Sequence, residues 1–274
     1  MRILITGATG TIGRNVVEQL REFDPTAELR ALTRNPEADL PDGVELAVGD
    51  LADPETLTEA FKDVDAVHFI NFAGEQYGAL PDPAAVVARA EQAGVRRCTV
   101  LAGVANGPFE NLLEASAIET TYLHPVEFMS NALMWWAAPI KAEGAIREPF
   151  GDRLSAMVHP ADIGAVTAKV LLDGGYDEQS LLITGPEVLT MQEKVRVLAE
   201  AIGRDIEFVE LTVEEAHAKW RGEGMDEGLI AFLTMALGNT PDEGKTVVNT
   251  VAEVTGRGAR TFAEWAAEHA ESFR

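Results

Sequence analysis

Ile3-Leu-Ile-Thr-Gly-Ala-Thr-Gly-Thr-Ile-Gly13 joins a short apolar run to three glycines spaced G-x-x-G-x-x-G. Ile3, Leu4 and Ile5 suit a strand buried on both faces. Ile12, Val16, Val17 and Leu20 then recur at helical spacing. Strand, glycine turn and helix are the context a dinucleotide-binding fingerprint requires. Gly7 permits the tight turn, Gly10 lets the backbone approach a pyrophosphate, and Gly13 lets the helix pack against the strand. The main-chain N–H groups at the helix start, around Thr9, Thr11 and Ile12, supply donors and partial positive charge for phosphate.

Outward from this stretch the chain alternates. Strands are expected at 28–33, 44–48, 66–70, 98–101, 120–123 and 181–184. Helices are expected at 54–62, 82–93, 109–117, 127–138, 161–172, 190–202 and 261–273. Asp53-Pro54 and Thr190 serve as start signals, and Gly94 and Gly203 as stops. Strands and helices in this order predict an α/β fold, a doubly wound parallel sheet with a small C-terminal α+β substrate lobe. The expected division is a core over 1–125, rejoined by about 156–185, with 126–274 mostly forming the lobe.

Composition sets limits. The 274 residues are 46% hydrophobic and contain no apolar run long enough for a membrane span. The formal net charge of −23 is spread along the chain, which argues against nucleic-acid binding and against docking on anionic lipid. Cys98, the only cysteine, excludes an internal disulfide, and no metal-ligand spacing occurs. The N-terminus enters the first strand without a targeting signal, so a cytoplasmic monomer or homodimer is expected.

The group after the second strand meets the adenosine ribose in a dinucleotide fold. Here it is Arg34, with no acid before Glu37, and a guanidinium suits the 2′-phosphate of NADP(H). Asp50 and Leu51, after the third strand, are placed for the adenine. Asn71, Phe72 and Gly74, after the fourth, are placed for the pyrophosphate and the second ribose.

Thr6-Gly-Ala-Thr-Gly-Thr-Ile-Gly13, Leu32-Thr-Arg-Asn-Pro36, Val48-Gly-Asp-Leu51 and Val64-Asp-Ala-Val67 together resemble the NmrA-like family of atypical short-chain dehydrogenase/reductases. Leu123-His-Pro-Val-Glu-Phe-Met-Ser-Asn131, Val158-His-Pro-Ala-Asp-Ile163 and Ile183-Thr-Gly-Pro-Glu187 extend the resemblance almost end to end. It implies a Rossmann fold, a small substrate domain and NAD(P)H. It does not imply one activity, since members resemble quinone reductases, phenylpropanoid reductases, aromatic polyketide tailoring proteins or redox-sensing regulators. Two departures matter. Four residues after Tyr77, Tyr122 and Tyr176 stand Pro81, Val126 and Ser180, so the Tyr-x-x-x-Lys pair of typical short-chain enzymes is absent. The segment Gly103-Val-Ala-Asn-Gly-Pro-Phe109 is short compared with the family's.

His124 stands where relatives carry arginine and is a candidate acid/base or substrate-orienting group, or a histidine bonded to backbone. His68, inside a strand, reads as a core residue, and His159 as a loop-ordering one. Phe128, Trp135 and Trp136, with Tyr77, Phe109 and Asn131, could line a flat pocket for a planar aromatic substrate. Adjacent tryptophans cannot share one helical face. The expected activity is NADPH-dependent reduction of a quinone or planar polycycle, with His124 or Asn131 as donor to the developing oxyanion. An oxygen-dependent tailoring role in polyketide synthesis and a cofactor-sensing regulator are the alternatives.

Overall fold

The computed structural model describes residues 1–73, 78–102 and 107–274. In chain order they form β1 (Arg2–Thr6), α1 (Thr11–Phe23), β2 (Glu28–Thr33), β3 (Val44–Val48), β4 (Ala66–Ile70), β5 (Phe72–Ala73), β6 (Gly78–Ala79), α2 (Pro83–Gln92), β7 (Arg97–Leu101), α3 (Pro108–Glu114) and β8 (Glu119–Pro125). There follow α4 (Asn131–Glu143), β9 (Ala145–Pro149), α5 (Pro160–Asp173), β10 (Ser180–Ile183), α6 (Met191–Ile202) and β11 (Glu207–Leu211). The chain ends through α7 (Val213–Gly222), α8 (Glu227–Gly238), α9 (Thr250–Thr255) and α10 (Phe262–Glu268). No helix among the described residues is long and apolar enough to cross a membrane.

The chain divides into two compact units. The first holds Met1–Pro125, Pro160–Ile183 and Thr250–Arg257. Its sheet has seven strands in the order β10-β8-β7-β4-β1-β2-β3, every pairing parallel. The chain runs outward from β1 to β3 and returns to β4 on β1's other side. The switch point of this doubly wound fold therefore lies between β1 and β4. Where those strands part, Thr6 bridges them: its Oγ1 donates to His68 O (2.9 Å) and accepts from Ile70 N (2.8 Å). On one face α1 crosses α5 so closely that a Cβ at Gly164 would stand 2.7 Å from the main chain of Asn15. On the other, Leu4, Val67, Phe69, Val86, Val100 and Leu113 belong to one continuous core.

The expected helix over 54–62 is only a 3-10 turn, Pro54–Leu57. Buried Arg30 donates to the carbonyls of Glu59, Ala60 and Lys62, so this segment's main chain is satisfied without a continued helix. The sequence reading also missed the small antiparallel pair of β5 and β6, whose two-residue strands carry almost no periodicity.

The second unit holds Val126–His159, Thr184–Asn249 and Gly258–Arg274. Its core includes Met129, Trp136, Val195, Leu198, Phe262 and Trp265. Beside this core β9 and β11 pair in parallel, and β11 had no counterpart in the sequence reading. Thr190 caps α6 with Glu193 in a reciprocal capping box, and Gly203 ends it at φ +69°, as the start and stop signals require. The expected helix at 127–138 begins later, at Asn131, because Met129 N donates to Val158 O and draws the preceding residues into an extended bridge. The expected helix at 261–273 breaks after α10 into a short 3-10 turn.

Candidate cofactor site

The site begins with the turn between β1 and α1. Gly7 takes φ +63°, and a Cβ there would also press on the Ile70 side chain at 3.1 Å. Its carbonyl accepts from Gly10 N at 2.9 Å, closing the turn. A Cβ on Gly13 would lie 2.2 Å from Gly7 O, so only glycine lets α1 begin this close to β1. Gly10 caps the helix with no side-chain hydrogen bond, and the first turn carries no acid. The first helical bond runs from Arg14 N to Gly10 O, which leaves the amides of Thr11, Ile12 and Gly13 facing out of the helix start. Open amides, a glycine surface and no competing carboxylate fit a pyrophosphate.

Arg34 follows β2, is exposed, and forms no ion pair among the described residues. Thr33 Oγ1 accepts from Asn35 N, and Asn35 Oδ1 from Glu37 N, so the loop is braced while the guanidinium stays free. Arg14 was missed in the sequence reading. It is exposed, and its Nε donates to Thr9 O at 2.8 Å, which holds a second guanidinium beside the glycine turn. A cation in the first turn of a helix opposes the helix dipole. That misplaced charge was the signal available in Gly13-Arg14.

Asp50 turns its carboxylate back onto Ala52 N (2.9 Å), bracing the bend after β3. Leu51 was expected at the adenine, but its side chain belongs to the core. Only its main chain is left for such a contact. Asn71 directly follows β4, and its Nδ2 donates to Glu110 Oε1 at 2.6 Å. Phe72 begins β5. Gly74 and Tyr77 lie outside the described residues.

Phe109, expected in a substrate pocket, is instead 3% exposed and sits edge-on to Phe69 with ring centroids 5.2 Å apart. At the start of α3 it faces the sheet, so burial takes it away from any ligand. His124 lies in β8, half-buried, opposite Leu182 of β10. Tyr122 is buried and donates to Glu110 O at 3.2 Å, and burial pushes its phenol up to about 12. Tyr176 precedes β10, where its carbonyl accepts from Thr121. It stands at the amino end of the strands, away from the switch-point edge.

The remaining residues belong to the second unit. Asn131 opens α4, its N–H donating to Phe128 O, and Phe128 is half-buried in the bridge to Val158. Trp136 is 4% exposed in the unit's core, which corrects its assignment to a pocket. Trp135, one position earlier, only packs against that core, as the helical geometry requires of neighbours. His159 is fixed by Glu268, Nε2 to Oε2 3.2 Å.

One group has no use in this site. Lys194 on α6 is 0% exposed; its Nζ donates to Ser155 Oγ (2.6 Å) and lies 3.4 Å from Glu127 Oε2. Arg153 grips the same carboxylate through both terminal nitrogens, at 2.8 and 3.1 Å, and Ser155 donates to it at 2.6 Å. Burial lowers Lys194 to about 8 against the opposing pull of Glu127. Burial raises the Glu127 carboxyl, but Lys194, Arg153 and its hydrogen bonds outweigh that and hold it at about 2.

Comparison with known proteins agrees with the geometry of the glycine turn. The profile of a family described as NAD(P)H-binding matches residues 7–123. The chain is 34% identical to a (4-alkanoyl-5-oxo-2,5-dihydrofuran-3-yl)methyl phosphate reductase of Streptomyces griseus, over 99% of both chains. It is 33% identical to an NAD(P)H azoreductase of Xenophilus azovorans, again over 99% of both. Among solved structures, an NADPH-dependent quinone oxidoreductase from Escherichia coli shares the fold, with a TM-score of 0.81, 24% identity, and coverage of 97% of this chain and 99% of that one. The chain accordingly belongs to the NmrA-like family of atypical short-chain dehydrogenase/reductases and is an NAD(P)H-dependent oxidoreductase with a Rossmann fold.

Proposed function

We propose that this chain uses NADPH to reduce a quinone or another flat, conjugated acceptor. The observation that carries the reading is the placement of Tyr122 and Tyr176, the tyrosines among the described residues. Tyr122 is buried, raised to about 12 and committed to a carbonyl, while Tyr176 sits at the wrong end of the sheet. Neither has a lysine four residues on. Reduction of an isolated carbonyl by the common short-chain route needs a tyrosine of lowered pKa. A conjugated acceptor spreads the incoming charge over its π system and can take a proton from weaker donors. The azoreductase and the dihydrofuranone phosphate reductase, similar end to end, are named for substrates of that conjugated kind.

When bound, the nicotinamide supplies the hydride. The chain's contribution is placement. Amides of Thr11 to Gly13 hold the pyrophosphate, Arg34 and Arg14 take the adenosine 2′-phosphate, and Asn71 orients the nicotinamide half. Within the same unit, His124 serves as a hydrogen-bond donor to the acceptor oxygen.

NADPH oxidation followed at 340 nm with a panel of quinones and azo dyes tests this reading. Tight NADPH binding without turnover on any of them would overturn it. Arg34→Ala should weaken NADPH about tenfold to a hundredfold and leave NADH nearly unchanged, the worth of charge-assisted hydrogen bonds to one phosphate. An equal loss for both cofactors would remove Arg34 from the 2′-phosphate.

A further inference from the structure

Glu110 is a charged side chain that the sequence reading passed over, and it is 2% exposed. It lies in the first turn of α3, where its Oε2 accepts from Gly107 N at 2.9 Å and closes that helix's cap. Its Oε1 accepts from Asn71 Nδ2 at 2.6 Å. Its main-chain carbonyl is held by Tyr122 Oη at 3.2 Å, so backbone and side chain are both pinned. A carboxylate oxygen can only accept, which settles which way the Asn71 amide faces. The nitrogen turns inward to Glu110, and Oδ1 is left as an outward acceptor that is not among the buried unpaired atoms.

Asn71 follows Ile70, whose side chain stands against Gly7 and whose N–H is tied to Thr6. That places the amide at the switch-point edge of the sheet, next to the glycine turn. We propose that Glu110 is a positioning residue for the cofactor: by fixing the Asn71 amide it presets Oδ1 to accept a hydrogen bond from the nicotinamide-riboside half of NADPH. The inference rests on the reading of Asn71 as a cofactor contact and adds the group that sets its orientation. Presetting matters because a freely turning amide offers its nitrogen as often as its oxygen, and the ordering cost then falls on binding. The donor is a ribose hydroxyl or the carboxamide N–H₂, both of which need an acceptor at this point.

The test inverts the hydrogen bond in the full-length protein, with dissociation constants measured by calorimetry. Glu110→Gln keeps an acceptor for the Gly107 cap but offers Asn71 an N–H₂, and Asn71→Asp sets two carboxylates face to face. Each single variant should weaken NADPH about tenfold, roughly one charge-assisted hydrogen bond. The double variant N71D/E110Q pairs an N–H₂ with a carboxylate again, leaves one oxygen facing outward, and should recover to within about threefold of the parent. A double variant no better than either single one overturns the positioning role. Asn71→Ala with unchanged NADPH affinity overturns instead the reading of Asn71 on which it rests. Loss of affinity in Asn71→Ala for both NADPH and 2′-phospho-ADP-ribose identifies a ribose hydroxyl as donor, and loss for NADPH alone identifies the carboxamide. Should Glu110→Gln fail to fold, NMR of the parent protein decides. The Asn71 Nδ2 protons must be protected before cofactor is added, and rapid exchange and rotation would overturn the proposal.

Discussion

The turn from β1 to α1 and the cluster around Lys194 place charge in opposite ways. The turn is built from what its residues lack. Gly7, Gly10 and Gly13 remove side chains, so main-chain amides point outward with nothing to satisfy them. The cluster is built from long side chains that satisfy one another, with Lys194, Arg153 and Ser155 all directed at Glu127. In a chain of net charge −23, only the first arrangement leaves positive potential for an anionic ligand. Perturbed titration therefore marks the wrong place here. The groups shifted most in the second unit belong to a closed network, while Arg14 and Arg34, beside the glycine turn and after β2, form no ion pair among the described residues. A buried ion network is a common structural cause of such shifts.

Lys194→Ala should show the largest effect of breaking that contrast. It removes a buried cation from a hydrogen-bonded network and should cost about 3–5 kcal/mol of unfolding free energy in denaturant titration. The NADPH dissociation constant of the folded fraction should be unchanged. A matching loss of affinity would show that the cluster serves the cofactor after all.

Acid should separate His68 from Glu127. His68 is fully buried; its Nδ1 meets Thr99 Oγ1 at 2.9 Å and its Nε2 has no partner. Burial lowers it from 6.5 to about 4. The unfolded chain therefore takes up a proton that the folded one refuses, and stability falls as pH drops from about 6.5 to 4, by on the order of 3 kcal/mol. Glu127 is lowered from 4.5 to about 2, so its contribution is present above 4.5 and is lost as pH falls towards 2. His68→Leu should flatten the stability profile between pH 6.5 and 4 and leave the slope below 4 in place. A profile unchanged by the substitution would show that His68 is not the group responsible.

Gly13→Ala sharpens the other side. The added Cβ meets Gly7 O at 2.2 Å, so the helix start must shift, at about 1–3 kcal/mol of stability, with NADPH affinity falling by more than NADPH-independent folding does. Retained affinity would mean the turn adapts. Smallest is Gly203→Ala, where φ is +69° and nothing crowds the position; the left-handed backbone alone should cost about 1 kcal/mol in melting experiments and leave binding untouched.

Legibility followed the range of the interactions. The first strand, its turn and α1 could be read because three glycines and an apolar run are local facts. The same holds for the Thr190 and Gly203 ends of α6. Lys194 could be suspected only from its place on α6, between Met191 and Val195 on the buried face. Glu110 had a fainter signal, an acid three residues after Gly107, because a glycine cap has no side chain to complete the usual pattern. Phe109 and Trp136 were assigned to a pocket because composition cannot tell an aromatic that meets a ligand from one that meets Phe69 or the core of a lobe.

By itself the sequence determined the parallel sheet, the glycine turn and the absence of a Tyr-x-x-x-Lys pair, since each depends on residues near one another in the chain. Tertiary structure alone decided which aromatics are core and that Glu110 holds Asn71 across the sheet edge. Those outcomes depend on partners about 40 residues apart for Asn71 and Phe109, and more than 100 apart for the core around Trp136. Short-range patterning fixes which elements form, and the burial of particular side chains is settled only when distant elements pack.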